Sequence, residues 1–303
     1  MGIVEKSFRN GEAIIKEGDS GNSFFQLLDG HALVYAGYGK NDQIKLSAIE
    51  PGEYFGEMSI LESYPRSATV VASGPVTVLE IPGDELNAFL AEDPNRIIDL
   101  MQHLGNRVWT MNRDYIEATN LLKELQESES AKKNKSLFSK IKKHMDIYQN
   151  NKNKMDEPTP EALAEELSKL NGEGNGKFKS FRRRMIIYKE GSEADCMYIL
   201  HSGTISICKD YNTPDEIDLD SLEAVSIFGE IGMISEVTRS ETAVSVSDDT
   251  RVEIIYPENL EAIFLACPGK IVLILRHLSY RLRKLNTEFL KVCKEITENY
   301  NQN

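Results

Sequence analysis

Apolar residues in the first ninety positions fall into short runs: Phe24–Leu28, Ala32–Tyr35, Val70–Val71 and Val76–Ile81. Gly, Asp, Asn and Pro separate them. Runs of that length between turn formers predict an antiparallel β sandwich or barrel. Gly18 and Gly30 stand where tight turns need positive φ. The period then changes. Over Asp84–Gln126 apolar side chains recur at helical spacing, with Leu86, Phe89 and Leu90 followed by Ile97, Leu100, Met101 and Leu104. This predicts helix, with Asp84 as its N-cap and Asp93-Pro94 dividing it in two.

The pattern occurs twice. EGDSGNSFFQLLDG (17–30) matches EGSEADCMYILHSG (190–203) at a spacing of 173, and Phe55-Gly56-Glu57 and Arg66-Ser67 meet Phe228-Gly229-Glu230 and Arg239-Ser240 at that same spacing. A register held without a gap over this length means two similar domains, too far apart for a solenoid. The second copy also ends in helical pattern, over Pro257–Ala266, a break at Pro268, and Lys270 to about Asn299. The expected fold class is α+β: two β jelly-roll barrels, each followed by C-terminal helices, joined by a partly helical linker. The expected divisions are 1–127, a polar Lys-rich linker 128–179, and 180–303. Within the linker, Leu137–Tyr148 and Glu161–Leu170 read as helices capped by Ser136 and Thr159, and Asn171–Lys177 as a flexible turn. Its lysines read as a solvated face. Arg182-Arg183-Arg184 reads as entry to a strand at Ile186–Tyr188.

Charge narrows the function. Across 303 residues, 48 Asp and Glu outnumber 35 Lys and Arg, giving −13, which disfavours a phosphate-backbone binder. No apolar run suits a membrane span, and MGIVEKSFRNGE lacks a signal-peptide core. Cys196, Cys208, Cys267 and Cys293 show no C-x-x-C and read as reduced thiols of a cytoplasmic protein. The five histidines have no metal spacing, and no P-loop, G-x-S-x-G or H-E-x-x-H is present, so neither a cofactor nor an enzyme is expected.

One segment carries chemistry. In YFGEMSILESYPRSATV (54–70), Gly56 lets the backbone approach closely, and the turn from Glu57 through Leu61 offers amides to an anion. Arg66 suits a phosphate, and Pro65 fixes the chain's approach to it. Glu57 suits a sugar hydroxyl. Phosphate and ribose hydroxyl within one short segment point to a small nucleotide.

The run F-G-E-x-x-x-x-x-x-x-P-R-S-A resembles the phosphate-binding cassette of cyclic nucleotide-binding domains. That family includes Crp/Fnr-type cAMP receptors, regulatory subunits of cAMP-dependent protein kinase, and cyclic nucleotide-gated channels. The resemblance spans about 11–127 and 180–300. It implies a jelly roll with ligand between cassette and C-terminal helix. Site A would comprise Phe55, Gly56, Glu57, Met58, Ser59, Pro65, Arg66, Ser67 and Ala68. Glu57 would take the ribose 2′-OH, Arg66 the phosphate, and Met58-Ser59 would supply amides. Site B would comprise Phe228, Gly229, Glu230, Ile231, Gly232, Thr238, Arg239, Ser240 and Glu241. There Thr238 replaces Pro65 and Glu241 replaces Ala68. A carboxylate two residues from Arg239 would pair with it or repel phosphate, so site B is expected to be weaker or altered unless Glu241 turns away.

Trp109, Met111, Asn112 and Tyr115 are candidates to cover the base in site A, and Asn286, Thr287 and Phe289 in site B. Ser67 and Ser240 do not decide between cAMP and cGMP; cAMP is favoured. Without a helix-turn-helix after residue 300, direct DNA reading in that mode is not expected. The expectation is a cytoplasmic cyclic nucleotide receptor acting on a protein effector. The alternatives are a structural protein with ligand-free barrels and a kinase regulatory-subunit-like inhibitor.

Overall fold

Alternation of side chains across a pleat explains the barrels. In a computed structural model, which describes residues 2–40, 43–62, 65–127, 135–151, 177–235 and 237–301, the first copy builds eight strands. They are β1 (Val4–Phe8), β2 (Ala13–Ile15), β3 (Ser23–Asp29), β4 (Ala32–Ala36), β5 (Ile44–Ile49), β6 (Tyr54–Phe55), β7 (Thr69–Ala72) and β8 (Val76–Pro82). They pair antiparallel in two sheets, ordered β1-β8-β3-β6 and β2-β7-β4-β5. Inward residues Phe25, Leu27, Ala32, Ile49, Phe55, Val70, Val76 and Val78 form the core between them. Gly18 and Gly30 take φ of +86° and +85°, as the turns require. A Cβ on Gly30 would strike the Pro75 carbonyl, so only glycine fits that turn.

The helices of the first half are α1 (Glu57–Glu62), α2 (Leu86–Glu92), α3 (Asn95–Glu127) and α4 (Lys135–Asn151). Asp93-Pro94 separates α2 from α3, and the Asp93 carboxylate accepts the Asn95 N–H at 3.0 Å. Asp84 does not cap. It lies inside a 3₁₀ turn, Gly83–Glu85, whose preceding residue is Pro82 and which has no side-chain cap. The helix expected over Leu137–Tyr148 lies within α4. The one expected over Glu161–Leu170, its cap Thr159, and most of the Asn171–Lys177 turn fall outside the described residues.

The second copy repeats the plan with β9 (Lys177–Phe181), β10 (Ile186–Tyr188), β11 (Met197–Ser202), β12 (Thr204–Lys209), β13 (Ile217–Glu223), β14 (Ser226–Phe228), β15 (Thr242–Ser245) and β16 (Thr250–Ile255). Its sheets are ordered β14-β11-β16-β9 and β10-β15-β12-β13. β9 begins three residues before the boundary read at 180. Arg182-Arg183-Arg184 forms the turn between β9 and β10, with Arg184 at φ +66°, rather than the start of the second strand. Helices α5 (Glu230–Ile234), α6 (Leu260–Ala266) and α7 (Pro268–Asn301) follow. Pro268 opens α7, where a missing N–H and fixed φ cost nothing.

The chain falls into two compact units: Met1–Phe89, Arg107–Pro158 and Ser279–Asn303 form one, and Leu90–Asn106 with Thr159–Leu278 the other. Within the first, Ala118, Leu121, Leu122 and Leu125 of α3 pack with Ile141 of α4 and with Phe289, Cys293 and Ile296 of α7. Burial there pushes the Cys293 thiol up to about 12. Within the second, β16, β11 and the start of α7 meet at a buried polar triad. Lys270 reaches both Glu253 oxygens at 3.0 and 3.1 Å, and His201 Nε2 lies 2.9 Å from Oε2. All four cysteines are free thiols. Among the described residues no helix is long and apolar enough to cross a membrane.

Candidate functional site

Site A begins at the end of β6. Gly56 turns the chain at φ +77°, a conformation glycine adopts without strain, and α1 starts at Glu57. A Cβ on Gly56 would stand 2.6 Å from Arg66 Nη1, so its bareness also makes room for the guanidinium.

Arg66 is pinned by its backbone. Its N–H donates to Asp19 O at 2.9 Å, and its carbonyl accepts the Gly18 N–H at 2.9 Å. The EGD turn therefore serves to anchor the arginine. Glu17 completes this frame: its N–H donates to Thr69 Oγ1 at 3.0 Å and its carboxylate accepts the Gly37 N–H at 2.8 Å.

The Arg66 side chain, 7% exposed, donates from Nη1 to Gly56 O (2.6 Å) and Ser59 Oγ (2.5 Å), and from Nη2 to Ser23 O (2.5 Å). Its Cζ lies 5.8 Å from the Phe25 ring centroid. Burial lowers its pKa, against the opposing pull of Glu57, Glu80 and Asp19. Burial of this kind makes an arginine a strong seat for an anion. Glu57 is 1% exposed, and Arg107 of α3 donates to its Oε1 at 2.5 Å.

Site B has the same frame. Arg239 N donates to Ser192 O at 2.9 Å, and its carbonyl accepts the Gly191 N–H at 2.8 Å. Gly229 turns at φ +70° before α5. The Arg239 guanidinium donates to Gly229 O, and from Nη2 to Cys196 O at 2.6 Å. It lies 4.4 Å from the Tyr188 ring centroid and 5.7 Å from that of Tyr198. Tyr188, Tyr198 and Phe228 stack on one another, with centroids 5.1–6.1 Å apart. Glu230 is fully buried, with His277 of α7 3.9 Å away. Glu241 does not pair with Arg239. It takes the Tyr188 and Ser240 hydroxyls instead.

Of the residues predicted for the sites, Gly56, Glu57 and Ser59 lie beside Arg66, and Gly229 lies beside Arg239. Phe55 stacks on Phe25 at 5.2 Å, and Phe228 lies in the aromatic stack. Ser59 and Ala68 are buried, and Met58, Ile231 and Gly232 are half-buried. Pro65, Ser67, Thr238 and Ser240 are exposed. The base-cover candidates lie elsewhere in part. Phe289 is buried in the helical cluster, and Met111 and Tyr115 pack against it. Trp109 is exposed, with Arg113 over its ring at 5.5 Å. Sequence reasoning missed Gly21, Ser23 and Arg107 at site A, and Tyr188, Cys196, Tyr198 and His277 at site B. The 173-residue register would have flagged Tyr188, which stands where the first copy has Ile15.

The cyclic nucleotide-binding domain model matches twice, over residues 5–93 and 178–266. A cGMP-dependent protein kinase of Eimeria tenella is 36% identical over 102 residues, 34% of this chain and 9% of the kinase. That of Plasmodium berghei (strain Anka) is 39% identical over 87 residues, 29% of this chain and 10% of the kinase. The matches thus span about a tenth of these curated relatives. Among solved structures, the regulatory domain of Toxoplasma gondii PKA with cAMP is 17% identical and covers 89% of this chain and 82% of its own, at a TM-score of 0.28. With both barrels and both cassettes matched, the chain belongs to the cyclic nucleotide-binding domain family and carries two such domains in tandem.

Proposed function

We propose that the chain is a cytoplasmic receptor for a cyclic nucleotide, cAMP ahead of cGMP, that changes conformation on binding and signals through contacts with a protein effector. One observation carries this reading. At site A a guanidinium and a carboxylate, 7% and 1% exposed, flank one short helix and face the needs of a phosphate and a ribose hydroxyl. Arg66 holds Gly56 O and Ser59 Oγ, so an anion drawing on Arg66 also pulls on the start of α1. Glu57 is held by Arg107, so a ribose hydroxyl arriving at Glu57 acts on α3 as well. The difference in affinity between the two arrangements of α1 and α3 drives the change. Site B is read as a second, weaker site for the same ligand class.

Isothermal titration with cAMP and cGMP tests the reading. Heat from either nucleotide, lost at one site in Arg66→Ala, is the expected result, and unchanged affinity in that variant would overturn it. A second reading, barrels that bind no nucleotide, draws on the protein carbonyls that already occupy the Nη donors of both arginines. The absence of heat with both nucleotides would favour it.

A further inference from the structure

At three places the second copy keeps a left-handed backbone but replaces the glycine that the first copy has there. Arg184, Asp210 and Asn212 stand at the 173-residue register of Gly11, Gly37 and Gly39. Their φ angles are +66°, +50° and +61°, against +83°, +60° and +78° for the glycines. Asp and Asn tolerate that region, whereas an arginine works against its own backbone. Among the described residues these three are the non-glycine residues at positive φ. Arg184 and Asn212 line one groove of about 440 Å³, and Asp210 belongs to the same β12–β13 hairpin as Asn212.

The groove lies on the outer face of the sheet β10-β15-β12-β13 and shares no residue with site B. Ile205, Ile207 and Ala243 fill the core, so their alternates Ser206 and Val244 face outward onto the groove. Its two banks carry opposite charge. The turn before β10 brings exposed Arg183 and Arg184, and the entry to β13 brings exposed Glu216 and Asp218. β15 and β12 run between them, about 14 Å of sheet at the ordinary strand spacing. Among the described residues no ion pair crosses the groove. Glu216 accepts the Asn212 N–H at 2.6 Å, Asp218 accepts the Ser206 hydroxyl at 3.2 Å, and the two guanidiniums have no side-chain partner. Between the banks, Val244 and Val246 offer apolar surface.

We propose that this groove binds an extended peptide segment of a partner protein that carries an acidic and a basic side chain. The acidic side chain pairs with Arg183 and Arg184, the basic one with Glu216 and Asp218, and an apolar residue between them covers Val244. A lone anion meets the carboxylates and a lone cation meets the arginines, so each is rejected by one bank. A span of about 14 Å takes about four extended residues, which a peptide supplies and a free amino acid does not. The proposal deepens the receptor reading, on which it rests, by giving the effector a contact on the second barrel.

The test probes the full chain with an array of short capped peptides that vary the sign and spacing of charge, alongside cAMP and cGMP titrations. Peptides with one acidic and one basic residue about four apart are expected to bind above acidic-only, basic-only and neutral ones. Arg184→Gly restores the first copy's residue at an unstrained φ, so the fold is kept; it is expected to weaken the mixed-charge peptides about tenfold and to leave nucleotide heat unchanged. Asp218→Lys is expected to turn the preference to acidic-only peptides. Equal binding of all charge classes, preference for a single sign, or mixed-charge binding that survives Arg183→Ala with Arg184→Gly overturns the groove. No peptide binding by a chain that gives nucleotide heat overturns the groove and leaves the receptor reading standing. Mixed-charge binding without nucleotide heat supports the groove and overturns the receptor reading.

Discussion

A single methyl group at position 21 tests whether the Arg66 seat is as tight as its packing implies. Gly21 has an ordinary backbone conformation, so alanine there brings no φ strain, but its Cβ would run into Nε, Cζ and Nη2 of Arg66. Overpacking of this kind costs about 1–3 kcal/mol. Displacing Nη2 from Ser23 O weakens a charge-assisted bond of about 1.5–3 kcal/mol. Gly→Ala returns roughly 0.4–1 kcal/mol through the unfolded chain. Moving the guanidinium off Ser23 O is what relieves the clash, so the two costs overlap rather than add, and the balance is a loss of about 2 kcal/mol, or about 4–8 °C in Tm for a unit of this size.

The second copy carries a methyl at the equivalent place, with a glycine opposite it. It holds Ala194 and Gly232 where the first has Gly21 and Ser59, and a Cβ on Gly232 would stand 2.6 Å from the Ala194 Cβ. The displaced guanidinium should also forfeit a similar share of its pairing with a phosphate, so Gly21→Ala should weaken cyclic nucleotide at site A by about thirtyfold, about 2 kcal/mol. Gly21→Ala with Ser59→Gly should recover part of that loss, with a coupling of about 1 kcal/mol in thermal melts and titration calorimetry. Full affinity in Gly21→Ala, or strict additivity in the double variant, would refute the reasoning.

Arg107→Ala removes the 2.5 Å partner of a buried carboxylate. Because Arg107 is itself 43% exposed, the expected destabilisation is about 1–2 kcal/mol, with roughly tenfold weaker binding at site A by calorimetry. Burial raises the Glu253 pKa, but the His201 and Lys270 hydrogen bonds outweigh it, and the net shift is downward. Its contribution is therefore present above the ordinary carboxylate pKa and lost as pH falls through the lowered value; Glu253→Gln should flatten that acid limb in melting curves. Lys270→Met, which leaves the carboxylate buried, should cost about 3–5 kcal/mol. Burial, aided by Lys143, lowers the His144 pKa against its bond to the Lys140 carbonyl and the pull of Glu117 and Asp114. The unfolded chain then takes up the proton first, so stability is full above about pH 6.5 and declines as pH drops toward the lowered value. His144→Leu should remove that decline.

The barrels were legible because their signals are local. Short apolar runs such as Phe24–Leu28 and Val76–Ile81 end at turn formers, and Gly18 and Gly30 mark turns that need positive φ. The cassette was legible because Gly56, Glu57 and Arg66 lie within eleven residues, twice, at one spacing. Asp84 misled because a capping residue and a 3₁₀ turn share the same composition, and Pro82 decided which formed.

The sequence by itself determined two barrels, two cassettes and the identity of the charged pair in each. Only the tertiary structure decided what those charges meet. Arg107 approaches Glu57 from fifty residues away, Lys270 and His201 converge on Glu253 from two different elements, and Tyr188 of β10 meets both Arg239 and Glu241 from more than fifty residues away. Turn chemistry and pleat alternation act over a few residues, so they can be read from neighbours in the chain. The field at a buried charge depends on whichever side chains packing brings within a few ångströms, and their sequence separations follow no period.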